Sequence, residues 1–294
     1  MHLKKALGVA SAVAALLALG SPVAARADGT AAAQGKSYVA LGDSFTAGPL
    51  IPRSAGGVPG CLRSDHAYPS LVAAGLGARL TDASCSGAET EHMSSPQTTP
   101  LGVNPPQLDA LAEDTGLVTL GIGGNDVGFG QIAVTCGLLS VKDHAGAPCT
   151  ARYGDELARR VDATAPKVAA VLAEIHRRSP RARVLVVGYL RLVPEAPGCW
   201  PVVPLAAGDL AFLDAAERRL NAMLEKRAAA AGATFVDAYR DGLGHDMCAP
   251  PGRKWVEGIA LTSAAAPFHP NAAGMREVAA RVAAAVPAAR STDA

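Results

Sequence analysis

The chain has 294 residues, with 27 Lys and Arg against 26 Asp and Glu and a formal net charge of +1. That length suits one large α/β domain with a sizeable core. No Lys/Arg cluster stands out, which argues against a nucleic-acid partner, and beyond the amino terminus no stretch is long and apolar enough to cross a bilayer.

Residues 1–27 read as a secretory signal peptide. Lys4 and Lys5 give a basic start, Ala6 to Gly20 is an apolar segment too short to span a membrane, and Ala25-Arg26-Ala27 offers the small-x-small cleavage pattern. A cut after Ala27 leaves residues 28–294 as a single mature domain, slightly acidic because the basic residues of the signal are gone. No cysteine lies near the cut, which argues against a lipid anchor. A secreted, extracellular protein is expected. The six cysteines, Cys61, Cys85, Cys136, Cys149, Cys199 and Cys248, fit that compartment as disulfides. None forms a CxxC pair, so neither zinc nor thioredoxin chemistry is expected. Many connectivities are open to six cysteines; pairing of sequence neighbours, 61 with 85, 136 with 149 and 199 with 248, is the preferred one.

In chain order, residues 37–43 form an apolar first strand. Residues 49–66, rich in Pro and Gly, form a loop, and Tyr68 to Gly77 a short helix. Strand two spans 79–84, followed by a loop over 86–104 and a helix over 105–113 opened by proline. Strand three covers 117–122 and leads into a second long loop, 123–150. A helix over 155–178 contains Pro166, expected to kink or split it. Strand four, 183–188, is wholly apolar at its centre, as buried parallel strands are. A proline-rich stretch over 190–204 precedes a helix over 206–231 and a fifth strand over 234–237. A last loop, 238–268, leads to a helix over 271–286. The alternation of strands and helices predicts an α/β fold with a five-stranded parallel sheet covered on both faces. Loops of this length are usually functional or disordered, and most of them follow strands, on one side of the sheet.

Four of these loops hold residues with chemical potential. Gly42-Asp43-Ser44 follows strand one, where open α/β sheets place their ligands. Ser86-Gly87-Ala88-Glu89 follows strand two, Gly121-Ile122-Gly123-Gly124-Asn125-Asp126 follows strand three, and Phe268-His269-Pro270-Asn271 opens the last helix. Acyl transfer needs an activated oxygen, a base and donors for an oxyanion. Ser44 can supply the oxygen and His269 can move its proton. The amides of Ser44 and Gly87 and the side-chain amide of Asn125 can hold the oxyanion. Taken singly, each is also a common cap or turn. A dinucleotide reading of the third run fails, because Asp126 stands where the last glycine of GxGxxG belongs.

Taken together, GDSFTAG, CSGAET, GIGGND and FHPNAAG, in that order, resemble the four blocks of the SGNH hydrolases, also called GDSL lipases and esterases, over nearly the whole mature chain. The resemblance implies a flavodoxin-like three-layer α/β/α sandwich. It implies Ser44 as nucleophile, His269 as base, and Gly87 and Asn125 as oxyanion donors beside the Ser44 amide. The signal, the cysteines and the YVALGDS start are most similar to the exported bacterial lipases of the family. Those have three disulfides between successive cysteines, in line with the preferred pairing.

Ala266 departs from the DxxH pattern that many members carry. By analogy with some exported members, a main-chain carbonyl, that of Ala266 or Pro267, is expected to take the His269 Nδ1 proton. This makes a Ser–His dyad, with Asp241 or Asp246 as the distant acids that would complete a triad instead. Asp43 and Asp126 are expected to bond loop amides.

The expected activity is therefore carboxylic ester hydrolysis through an acyl-enzyme, without metal or other cofactor. Leu50, Ile51, Val58, Phe129, Ile132, Leu138, Leu139, Trp200, Val202 and Val203 would rim Ser44 with apolar surface, which favours lipid acyl esters. A monomer touching lipid surfaces transiently is expected. The rival readings are a carbohydrate acetylesterase on the same fold, using Trp200 and Trp255 as platforms, and a non-catalytic exported binding protein.

Overall fold

Tyr38, Val39, Ala40 and Leu41 are all buried, as a strand flanked on both sides within a covered sheet must be. They belong to β1 (Ser37–Gly42), the first element of a computed structural model that describes residues 37–286. The expected signal peptide lies outside the described residues. After β1 come α1 (Ser44–Ala47), α2 (Tyr68–Leu76), β2 (Arg79–Asp82) and a small hairpin of β3 (Gln97–Thr99) and β4 (Gly102–Asn104). Then follow β5 (Leu117–Gly121), α3 (Gly124–Val127), α4 (Phe129–Ser140), α5 (Pro148–Tyr153), α6 (Glu156–Arg178) and β6 (Arg183–Val187). The chain closes with α7 (Leu210–Ala230), β7 (Thr234–Val236) and α8 (Ala272–Ala285).

Five strands form one sheet in the order β2-β1-β5-β6-β7, every neighbouring pair parallel. Helices α2 and α8 pack together, as do α6 and α7, to give the helical layers of an α/β sandwich. The chain leaves β1 outward to β2 and then returns to the other side of β1 at β5. The crevice between the carboxyl ends of β1 and β5 is therefore the topological switch point.

Four predicted features differ in the structure. The stretch 123–150 is helical over much of its length, as α3, α4 and α5. Its pattern misled because α4 is apolar nearly all round, so it lacks the polar stripe that marks a surface helix. The helix expected over 105–113 is only a 3₁₀ turn, Gln107–Ala110, and the loop expected over 86–104 contains the hairpin β3–β4. Helix α6 runs through Pro166 unbroken. The proline lies on its exposed face, where solvent can serve the carbonyl left without an amide partner. Disulfides join Cys61 to Cys85, Cys136 to Cys149 and Cys199 to Cys248. The second ties α4 to α5.

Gly42 ends β1 at a point with no room for a side chain. Its N–H donates to Gln107 Oε1 at 2.7 Å, and its carbonyl accepts from Gln107 Nε2 at 2.9 Å and from the Cys85 N–H at 3.0 Å. A Cβ there would sit 2.6 Å from the Gly121 carbonyl and against the Thr46 hydroxyl. Gly42→Ala should therefore destabilise by at least ~1–3 kcal/mol, the usual cost of overpacking, read as a lower midpoint in urea unfolding. A midpoint equal to that of the parent would show that the turn has slack.

Candidate active site

Ser44 is the first residue of α1, directly after the Gly42–Asp43 turn. Asp43 caps that helix: its Oδ1 accepts from the Phe45 N–H at 2.9 Å, and its Oδ2 accepts from the Tyr189 hydroxyl. The Tyr189 oxygen in turn accepts from the Gly124 N–H at 2.8 Å, so one tyrosine ties the loop after β1 to the loop after β5. Burial pushes the Asp43 carboxyl up to about 7, against the pull of these two hydrogen bonds. The Ser44 N–H, at a helix start, has no hydrogen-bond partner among the described residues.

His269 sits just before α8. Its Nε2 lies 2.7 Å from Ser44 Oγ, across 225 residues of sequence. Its Nδ1 lies 2.7 Å from the Pro267 carbonyl, to which it can only donate. The proton is thereby fixed on Nδ1, and Nε2 is left as the acceptor for the serine hydroxyl. Of the two carbonyls expected for this place, Pro267 takes the imidazole; that of Ala266 accepts the His269 main-chain N–H instead, at 3.2 Å. Neither distant aspartate reaches the ring. Asp241 pairs with Arg281 at 2.8 Å, and Asp246 accepts from the Cys248 N–H at 2.9 Å. Burial lowers the His269 pKa, favouring the neutral ring, and its bond to Pro267 opposes this only in part.

His269 is held by its own block, through Phe268 and Asn271, and by Glu257, which the sequence did not single out. Phe268 has φ +63°, an unfavourable conformation for an aromatic residue. Two main-chain bonds fix it there: Phe268 N–H to the Glu257 carbonyl at 2.9 Å and Glu257 N–H to the His269 carbonyl at 3.0 Å. Asn271 caps α8 through Oδ1, and its Nδ2 donates to the Glu257 carboxylate at 2.8 Å and to the Lys254 carbonyl at 3.0 Å.

The other two blocks meet beside this pair. Asn125, on α3, donates one amide hydrogen to the Ala88 carbonyl at 2.8 Å and faces the cleft that holds Ser44 and His269. Gly87 has φ +79°, and its N–H has no partner among the described residues. Asp126 accepts from the Thr90 N–H at 2.9 Å and from Lys167 at 3.2 Å, fastening the third block to the second. Asp43 and Asp126 thus bond loop amides, as expected of them.

From Ser44 opens a cleft whose empty space, open solvent at its mouth included, is about 880 Å³. Of the ten residues expected to rim it, only Phe129 and Ile132 line it; Ile51 and Val203 are packed into the core, and Leu50, Leu138 and Val202 face solvent. Its apolar wall comes instead from Leu192, Val193, Leu205, Leu213, Leu220 and Met247. These belong to α7 and the loops around it; Leu213 and Leu220, about two turns apart, lie on one face of α7 and turn it toward the cleft. Glu217 lies on the same face, buried, accepting the Leu192 N–H at 3.1 Å. Burial pushes its carboxyl up to about 8, so it is protonated at neutral pH. The two tryptophans do not line the cleft; Trp200 stacks on His144 and Trp255 on His245. Among the described residues no His, Cys, Asp or Glu cluster could hold a metal ion, and no helix is long and apolar enough to cross a membrane.

Residues 40–277 match the sequence model of the GDSL-like Lipase/Acylhydrolase family. The chain is 38% identical to Lipase 2 of Streptomyces coelicolor over 94% of its own length and 95% of the relative's. Its structure is similar to that of phospholipase A1 from Streptomyces albidoflavus, with a TM-score of 0.72 and 29% identity over 86% of this chain and all of that one. The extracellular lipase of Streptomyces rimosus gives 0.71 and 30%, over 85% and 100%.

Glu217 makes a pH prediction. Its folded pKa lies above the unfolded value, so its contribution to stability is full below the unfolded pKa and is lost as pH rises through about 8. Glu217→Gln keeps an acceptor for Leu192 and cannot ionise. Its melting temperature should therefore gain on the parent steadily from acid pH up to about 8. A difference independent of pH would mean the carboxyl is solvated.

Proposed function

The chain belongs to the GDSL-like lipase/acylhydrolase family and is an ester hydrolase of the lipase and esterase kind, and on that premise we propose that Ser44 and His269 act as a catalytic dyad on lipid acyl esters. The observation that carries this is the 2.7 Å approach of His269 Nε2 to Ser44 Oγ at the mouth of an apolar cleft.

In this mechanism His269 takes the Ser44 proton as Oγ attacks the ester carbonyl. The oxyanion is received by the main-chain N–H groups of Ser44 and Gly87 and by the amide hydrogen of Asn125 not spent on Ala88. His269 then gives the proton to the leaving alcohol, and the acyl group remains on Ser44. Water, deprotonated by the same imidazole, releases the acid. The Pro267 carbonyl keeps the ring in one tautomer and orientation throughout, the share of the third triad member that needs no charge.

The apolar cleft wall supports a lipid acyl chain, and the stacking of both tryptophans away from the cleft speaks against a sugar platform. Three disulfides support an exported protein, as does similarity to an extracellular lipase. We extend this to a secreted monomer of residues 28–294, released by cleavage after Ala27, that meets lipid surfaces transiently.

With p-nitrophenyl esters of rising chain length, Ser44→Ala and His269→Ala should each abolish turnover. Asn125→Ala should lower kcat by about 10²–10³, while Asp241→Asn and Asp246→Asn keep most of the rate. An aspartate whose loss equals that of His269 would replace the dyad by a triad. Burial lowers the His269 pKa, so kcat/KM should be flat at neutral pH and fall only when acid passes below the ordinary histidine range. A strict preference for acetyl over longer esters would exclude the lipid assignment.

A further inference from the structure

The peptide unit between Ser86 and Gly87 has two ends. Its N–H is the one offered to the oxyanion in the proposed mechanism. Its C=O points the opposite way, because a trans peptide is planar with the two groups antiparallel. That carbonyl accepts a hydrogen bond from Gln97 Nε2 at 2.8 Å.

We infer that Gln97 is the positioning residue of the oxyanion hole: by gripping the Ser86 carbonyl from behind, it aims the Gly87 N–H at the place where the oxyanion forms. The inference rests on the dyad reading above. Glycine at 87, with φ +79°, leaves this peptide plane free to turn about its ends. The neighbouring bonds, Ser86 N–H to the Cys61 carbonyl at 3.1 Å and Ala88 N–H to the Cys85 carbonyl at 3.0 Å, fix the peptides on either side but not this one. Gln97 is buried, at the start of the hairpin strand β3. Its other end is not used: among the described residues Oε1 is buried without a hydrogen-bond partner, and so is the Ser86 hydroxyl. A glutamine placed only to stabilise the loop would spend both ends, since an orphaned buried acceptor is costly. Here the donor end alone is engaged, on the carbonyl of the very peptide whose N–H the proposed mechanism gives to the oxyanion. The same bond polarises the peptide and strengthens Gly87 as a donor.

Each of the other two donors is likewise held from outside. Asn125 is tied through Ala88, and the turn before Ser44 is clamped by Gln107. Gln97 completes the set.

The test uses the full mature chain and p-nitrophenyl butyrate. Gln97→Leu should lower kcat about tenfold to a hundredfold, less than outright loss of a donor. KM and the acid limb of the pH profile should stay in place, because neither ester binding nor His269 is touched. Affinity for a trifluoromethyl ketone, which adds Ser44 to give a tetrahedral oxyanion, should fall by the same factor as kcat/KM. Gln97→Glu is nearly isosteric and donates only when protonated, so its rate relative to the parent should recover as pH falls. If Gln97→Leu does not fold, Gln97→Glu carries the same readouts. A folded variant with parental kcat, or one that raises KM and leaves kcat alone, overturns the inference. Ser44→Ala is assayed beside them: its retaining full activity would defeat the dyad itself, whereas its inactivity with an unaffected Gln97→Leu would defeat only the role of Gln97.

Discussion

At the end of β1 the backbone has to turn without a side chain and without losing a hydrogen bond. Gly42 gives its N–H to Gln107 and its carbonyl to both Gln107 and Cys85, while Thr46 and Gly121 fill the space that a Cβ would need. The next residue, Asp43, caps a helix of only four residues and receives Tyr189 from β6's loop. Ser44 is thereby set at a helix start with its N–H unspent, over the crevice where the sheet changes direction. The loops after β2 and β5 and the segment before α8 are each referred to this point, through Cys85, Tyr189 and the Ser44–His269 bond respectively.

Burial sets the charge state of the whole cleft. It raises the carboxyls of Asp43 and Glu217, to about 7 and about 8, and it lowers the imidazole of His269. These shifts have one cause and act in the same sense: each favours the neutral form. Near neutral pH the wall of the cleft carries no formal charge from Glu217 and His269 rests as a free base. On the proposed reading, an apolar acyl chain would then meet a wall that is apolar apart from the neutral Glu217 carboxyl.

Much of this was legible in the chain because the residues concerned sit at strand ends. Strands β1, β5 and β6 announced themselves as apolar runs that end at or just before a glycine, and the order of GDS, SGA, GGND and FHP named Ser44, Gly87, Asn125 and His269 before any distance was known. What could not be read were the partners that act through space. Gln97 lies in a stretch read as loop and Gln107 in one read as helix, and a buried glutamine looks like an exposed one in sequence. Tyr189 carried a signal that could have been used: a polar aromatic residue directly after the RVLVVG strand, at the same carboxyl edge as Ser44. Helix α4 was invisible for the opposite reason. Its apolar residues face both the cleft and solvent, so Ile132 is buried while Val134 and Leu138 are exposed, and the periodicity that marks helices cancels. The rim residues were misplaced because loop sequence says nothing of which loop folds over the serine.

The carbonyl of Pro267, standing where many relatives by motif have aspartate, changes the electrical balance of the reaction. In the proposed mechanism proton transfer creates imidazolium and oxyanion together, and no third ion stands behind them. The reacting cluster goes from neutral ground state to a zwitterion of zero net charge, held together chiefly by its own two poles and by fixed dipoles. A triad would carry a surplus negative charge through the same step and would need counter-charge from its surroundings. With only a dipole behind the ring, the separation between the two poles becomes the quantity the fold must control, and the contorted backbone at Phe268 is where that distance is set.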